Sequence, residues 1–255
     1  MFKHLPDAYE EKYVAYLDIL GFSEKIDEME NDNQNGIDIF RIIKNAFDQI
    51  EVELRTTNHF VSKDSDNAQF AAFSDSMALS TAPTDWGLMS MITRISGFCM
   101  NFMKAGIFIR GAISKGHVYH KENQLFGSGL VHAVKLEKKL ARYPRVVLSE
   151  QVVQDMSAIA NPLLHGWRNE ISLLDRDGVT FLSPFYPQYA SEGEGSGYVF
   201  AENQLKAVVS HIKKQLSRFG VDDERHAKIY WLKEQINDAI DYWQARGQLG
   251  SMQKI

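Results

Sequence analysis

The sequence predicts an α+β fold: one central, mostly antiparallel sheet with helices on one face, followed by two further helices at the C-terminal end. Three observations predict it. Short β-branched and aromatic runs alternate with amphipathic helical stretches in the order β-α-β-β-α-β. Hydrophobic residues make up 44% and charged residues 24% of the 255 positions, enough apolar mass for a proper core. No apolar run approaches the roughly 20 residues that span a bilayer.

The elements follow in order. "YVAYL" (13–17) is a buried strand that ends in an acid, Asp18, before turning through Ile19, Leu20 and Gly21. A helix starts at Ser23, is interrupted by "ENDNQNG" (30–36), and resumes over 37–54 with Ile39, Ile42, Ile43, Ala46, Phe47 and Ile50 at helical spacing. "AQFAAFSDSMALST" (68–81) places two apolar runs around Ser74–Asp75–Ser76, the pattern of a hairpin. Asp85 to Lys104 is a Met- and Phe-rich helix stopped by Gly106, and Met89, Met91, Met100 and Met103 are packing residues. "IFIRGAISKGHVYH" (107–120) is a strand; "KENQ" turns the chain into a Gly-rich stretch and a helix ending near 144; "RVVLS" (145–149) is a further strand. "EISLLD" and "VTFLSP" flank Arg176–Asp177–Gly178 as another hairpin. "SEGEGSG" (191–197) has linker composition, and amphipathic helices cover about 200–218 and 223–245. The βαββαβ order describes a ferredoxin-like layer. The expected division is a catalytic domain over 1–190 and a helical extension over 198–255 packed on it.

Charge and cysteine usage argue against several classes. The formal net charge is −5, so no basic field favours nucleic acid. The lone Cys99 sits in "ISGFCMNFM", cannot pair within the chain, and reads as a packed core thiol of a reducing compartment. "MFKHLPDAYEEKY" lacks a signal-peptide core. The expectation is a cytoplasmic protein with no membrane or nucleic-acid partner. His117, His120 and His132 lack zinc-site spacing and are read as surface or interface residues.

Asp18 and Asp75 carry the chemistry. In a β-α-β-β unit their strands lie side by side, so both carboxylates can project at one sheet edge. Two converging acids repel unless a cation neutralises them, and hard divalent ions prefer such oxygen ligands. The alternative is structural: Asp18 capping its own turn, and Asp75 as a hairpin-favoured residue. Gly21 would let the chain approach a phosphate at the start of the following helix. Arg110, on a strand, can pair with a carboxylate or reach phosphate.

"YLDILGFSE" resembles the Asp-x-x-Gly-Phe-Ser/Thr motif of the class III nucleotidyl cyclase catalytic domain. "FSDSMAL" sits where that family has its second metal aspartate, and 109–150 resembles its long signature of strand, two glycines, a helix with A-x-[basic]-L-E, and a strand ending in Ser. The resemblance covers roughly residues 13 to 150; 150–185 fits loosely and 198–255 matches nothing. It implies cyclisation of a nucleoside triphosphate to a 3′,5′-cyclic monophosphate with release of pyrophosphate. It implies two Mg2+ or Mn2+ ions on Asp18, the Ile19 carbonyl and Asp75, and a triphosphate held by Leu20, Gly21, Phe22 and Ser23.

The departures from the family pattern are specific. Ser74 replaces its hairpin glycine. Ala71 and Gln124 stand where purine-specific members carry Lys or Glu and Asp or Cys, which argues against purines. Val131 and Lys135 stand at the transition-state Asn and Arg positions, and Lys lacks the guanidinium fork. Lys135 or Arg142 would serve the phosphates; the alternative is a solvated basic stripe of Ser128, His132, Lys135, Lys139 and Arg142. These departures look most like the pyrimidine cyclases of bacterial Pycsar antiphage defence. That resemblance implies UTP or CTP as substrate, a homodimer with shared active sites, and a separate effector that responds to cyclic UMP or cyclic CMP. The competing readings are a degenerate cyclase domain without turnover and a purine cyclase.

Overall fold

The computed structural model describes residues 8–32, 36–55, 67–159, 171–185, 196–247 and 249–255. Strand β1 (Glu10–Ile19) leads into helices α1 (Phe22–Asn31) and α2 (Gly36–Arg55). The hairpin strands β2 (Gln69–Phe73) and β3 (Ser76–Thr81) precede α3 (Asp85–Lys104). Next come β4 (Ile109–Lys121), β5 (Gln124–Gly127), α4 (Ser128–Leu140), β6 (Val146–Leu148) and α5 (Glu150–Ala158). The hairpin β7 (Ser172–Leu174) and β8 (Thr180–Leu182) is followed by α6 (Ser196–Arg218) and α7 (Glu224–Gln244).

The strands form one sheet in the order β2-β3-β1-β4-β6-β8-β7, with β5 folded back on β4. Its first four strands keep the antiparallel order of the ferredoxin-like unit, and only β4 and β6 run parallel. The expected α+β fold is therefore the observed one. β1 is central, pairing with β4 along Glu10–Ile19 and with β3 along Tyr13–Asp18, so the stretch that leads into Asp18 is held on both sides.

Alternation along β1 explains the layers. Tyr13, Ala15, Leu17 and Ile19 join one large core with α2, α3, α5, α6 and α7. Helix α3 is the centre of that layer: its side chain cap is Thr84, which accepts from the Gly87 N–H, and most of its length is buried, including all four methionines singled out above. Cys99 is buried among them, and burial pushes its thiol up to about 12. α4 covers the opposite face, where Ala112, Ala141 and Val147 form a small second cluster with Leu136 and Leu140 packed on it. The expectation of helices on one face holds for α2, α3, α5, α6 and α7, which share the main core, and not for α4. Two glycines permit its close seat: a Cβ on Gly116 would lie 2.9 Å from the Gly129 Cα.

The C-terminal helices share the main core through Leu205, Val208, Ile212, Leu232, Ile236, Ile240 and Trp243. A buried cation fastens α7 to the β7–β8 hairpin. The Arg145 side chain is fully buried, ion-pairs with Asp175, and donates to Asp177 at 2.6 Å. Trp231 lies flat against Tyr143 and donates its Nε1–H to Asp175 at 2.8 Å. Of the expected linker, residues 191–195 lie outside the described residues, and α6 begins at Ser196.

Candidate functional site

The end of β1 and the β2–β3 turn form one corner of the sheet. Asp18 is in register with Ser76 on β3 and with Arg110 on β4. The Ile19 N–H donates to the Asp75 carbonyl at 3.0 Å. A residue's N–H and C=O face the same neighbouring strand, so the Ile19 carbonyl also points towards this turn. Asp18, Ile19 and Asp75 thus lie at the same corner of the sheet. Ser74 holds φ 57, the left-handed conformation for which glycine is the favoured residue.

The cation that faces Asp18 is Arg110. Its Nε–H donates to Asp18 Oδ2 at 2.8 Å, and the same Nε lies 2.8 Å from Glu137 Oε1 of α4. One N–H cannot point at both carboxylates. Glu137 Oε1 is accordingly buried without a hydrogen bond, although its charge is partly compensated. Burial raises the Glu137 pKa, Arg110 opposes that shift, and Asp18 adds to it. Beside this pair, Tyr16 Oη and Ser76 Oγ hydrogen-bond at 2.9 Å, and burial raises the Tyr16 pKa.

Glu137 is the member of the corner that the sequence reading left without a role. The available signal was its position on the buried stripe of α4: Gly129, Ala133 and Glu137 recur every fourth residue and all are buried. Arg110 was read as a residue for an ion pair or a phosphate, but its partners depend on strand register.

The remaining residues divide clearly. Leu20 and Phe22 are half-buried against the core, while Gly21 and Ser23 are exposed. Gly21 caps α1 at φ 67 with no side-chain cap, leaving first-turn N–H groups without a side-chain acceptor. Ala71 faces Ala78 on β3, whereas Gln124 is exposed at the start of β5, opposite Lys121. The strands carrying Ala71 and Gln124 are separated by β3, β1 and β4 in the sheet, since β5 pairs with β4. Lys135 is exposed on α4, two residues from both Ala133 and Glu137, and so on the side turned away from the sheet. Arg142 is exposed beyond the helix, which ends at Leu140, so it does not continue the stripe of Ser128, His132, Lys135 and Lys139.

His120 departs from its expected surface role. It is buried, its Nδ1 lies 2.7 Å from Ser80 Oγ, and its Nε2 has no hydrogen-bond partner. Burial and the nearby Lys12 ammonium lower its pKa to about 4.

The donor types at the corner suit a hard divalent cation: it carries the Asp18 and Asp75 carboxylates and the Ile19 carbonyl. Magnesium is commonly held by one or two carboxylates with substrate phosphates completing its shell. Among the described residues no group of three or more His, Cys, Asp or Glu side chains is arranged to hold a metal alone. Among those residues, too, no helix is long and apolar enough to cross a membrane.

No protein-family model matches the chain, and no curated protein matches it. Among solved structures it is similar to a class III adenylyl cyclase-like ATP-binding protein from Pseudomonas aeruginosa: 13% identity, TM-score 0.40, over 57% of this chain and 34% of that one. The match spans about a third of that protein's length. It is also similar to the guanylyl cyclase Cya2, at 10% identity and TM-score 0.39, over 73% of this chain and 95% of that one. A third similar structure is the catalytic core of a rhodopsin-guanylyl cyclase with converted specificity in complex with ATPalphaS. There the identity is 14% and the TM-score 0.42, over 69% of this chain and 96% of that one.

Proposed function

We propose that the chain is a nucleotidyl cyclase that converts UTP or CTP to the 3′,5′-cyclic monophosphate and pyrophosphate. The observation that carries this reading is the placement of Asp18, the Ile19 carbonyl and Asp75 at one sheet corner, beside an α1 N-terminus without a side-chain cap. In the reaction the ribose 3′-oxygen bonds to the α-phosphorus, the bond from that phosphorus to the β-bridging oxygen breaks, and the 3′-hydroxyl proton is released. Bound Mg2+ or Mn2+ would activate the 3′-oxygen and offset phosphate charge. The chain's own part is to hold the cations on Asp18, Ile19 and Asp75, and the phosphates on the turn from Leu20 to Ser23. Lys135 or Arg142 would add positive charge at the phosphates.

Base choice rests on Ala71 and Gln124, because the charged partners that read purines are missing there. Lys135 faces outwards and so is suited to reach a second copy's site, which supports a homodimer with shared active sites. The cytoplasmic location, the role in antiphage defence and the effector that reads the product follow from the resemblance in the sequence. The Arg110 hydrogen bond to Asp18 favours a second reading, a cyclase-like binding module without turnover, because it neutralises the acid without metal.

Incubation with ATP, GTP, CTP and UTP separately, with Mg2+ or Mn2+, followed by mass spectrometry, tests both. Cyclic UMP or cyclic CMP is the expected product. A purine product would remove the role given to Ala71 and Gln124, and no product from a folded protein would support the binding module.

A further inference from the structure

A cavity of about 190 Å³ lies between the Gly21 turn and α1 on one side and the facing ends of α6 and α7 on the other. It is smaller than the roughly 300–1,000 Å³ of drug-sized sites, so its ligand would be compact. Leu20, Phe108 and Phe219 give it an apolar wall. Its polar wall carries Lys25, Arg218, Arg225 and Lys228 against Glu24 and Glu28, four cations to two carboxylates.

Three of these cations are already paired. Arg218 meets Glu28 at 2.5 Å, Arg225 meets Glu24 at 2.9 Å and Asp223 at 2.7 Å, and Lys228 meets Glu224 at 3.0 Å. Lys25 is different: it donates no hydrogen bond to a described residue, and Glu24 and Glu28 act on it only through space. Burial lowers its pKa, and those two carboxylates do not restore it. A half-buried ammonium on a cavity wall, with no acceptor of its own, is completed by an anion.

We propose that this cavity binds a compact organic anion, with Lys25 as its charge partner and the apolar wall holding its body; it shares Leu20 and Gly21 with the turn given to the phosphates but includes none of Asp18, Ile19 and Asp75. Such a ligand would bridge α1 to the C-terminal helices and so hold the turn through Gly21. That regulatory consequence rests on the cyclase reading; the binding does not.

Calorimetric titration of the full chain with phenyl phosphate, and separately with inorganic phosphate, tests it. Phenyl phosphate should bind more tightly than inorganic phosphate. Lys25→Met should weaken phenyl phosphate at least tenfold, and Gln215→Trp, which fills the cavity without removing a cation, should abolish its binding with an unchanged circular dichroism spectrum. Asp75→Asn should bind it as the wild type does, while its loss of turnover tests the cyclase reading independently. Absence of binding by the wild type, wild-type affinity in both Lys25→Met and Gln215→Trp, or loss of binding in Asp75→Asn would overturn the proposal.

Discussion

At the residue scale, the corner depends on side chains that leave a charge or a conformation unsatisfied. Ser74 occupies the left-handed region, which costs a non-glycine residue roughly 1–2 kcal/mol. Ser74→Gly should therefore stabilise the fold by about 0.5–1 kcal/mol after glycine's greater unfolded-state entropy is counted, seen as a higher urea midpoint with an unchanged slope. Asp18 and Asp75 face a different test. Asp18→Ala and Asp75→Ala should each abolish cyclisation while the circular dichroism spectrum stays native, because Arg110 retains Glu137 when Asp18 is removed. Normal turnover in either variant would sink the metal assignment.

His120 adds a pH dependence. Its folded pKa, about 4, lies below its ordinary 6.5 because burial and Lys12 disfavour the imidazolium. Between those values the unfolded chain holds the extra proton, so this contribution makes stability fall as pH falls from about 6.5 towards 4. Urea midpoints measured across that range should show the loss, and His120→Asn should flatten it. An unchanged profile in the variant would assign the pH dependence to other groups.

At the element scale, the fold is held by fastenings between segments distant in sequence. Arg145, just before β6, ties the β7–β8 hairpin to α7 through Asp175, Asp177 and Trp231. Removing one partner of a buried ion pair leaves the other uncompensated and commonly costs about 3–5 kcal/mol. Arg145→Met should lower stability by about that much in urea unfolding, since it strands the buried Asp175. On the other face of the sheet, α4 brings Glu137 to Arg110 because Gly116 and Gly129 allow helix and strand to meet closely. Any larger residue at Gly116 would push α4 away and break that contact.

At the scale of the whole molecule, the sheet sends its chemistry in two directions. Asp18, Arg110 and Glu137 meet within one chain, whereas Lys135 leaves the outer side of α4. If sites are shared, mixing inactive Asp18→Ala with a Lys135→Ala variant should restore part of the turnover through mixed dimers. Activity no higher than that of the separate variants would remove Lys135 from the partner's site.

Local chemistry made much of this legible in the sequence. The continuous apolar run of 13–17 set the buried strand, Ser74, Asp75 and Ser76 between two apolar runs set the hairpin, and Gly106 stopped α3. These features depend on neighbouring residues, so period and turn chemistry suffice to find them. Tertiary structure alone decided which cation meets Asp18, because Arg110 reaches it through a register between strands 92 residues apart. It also placed α4 on the opposite face, buried His120 against Ser80, and closed a cavity between α1 and the last two helices. The physical reason is that strand register and the face a helix covers are set by long-range packing, whereas sequence periodicity fixes only which side of each element is apolar.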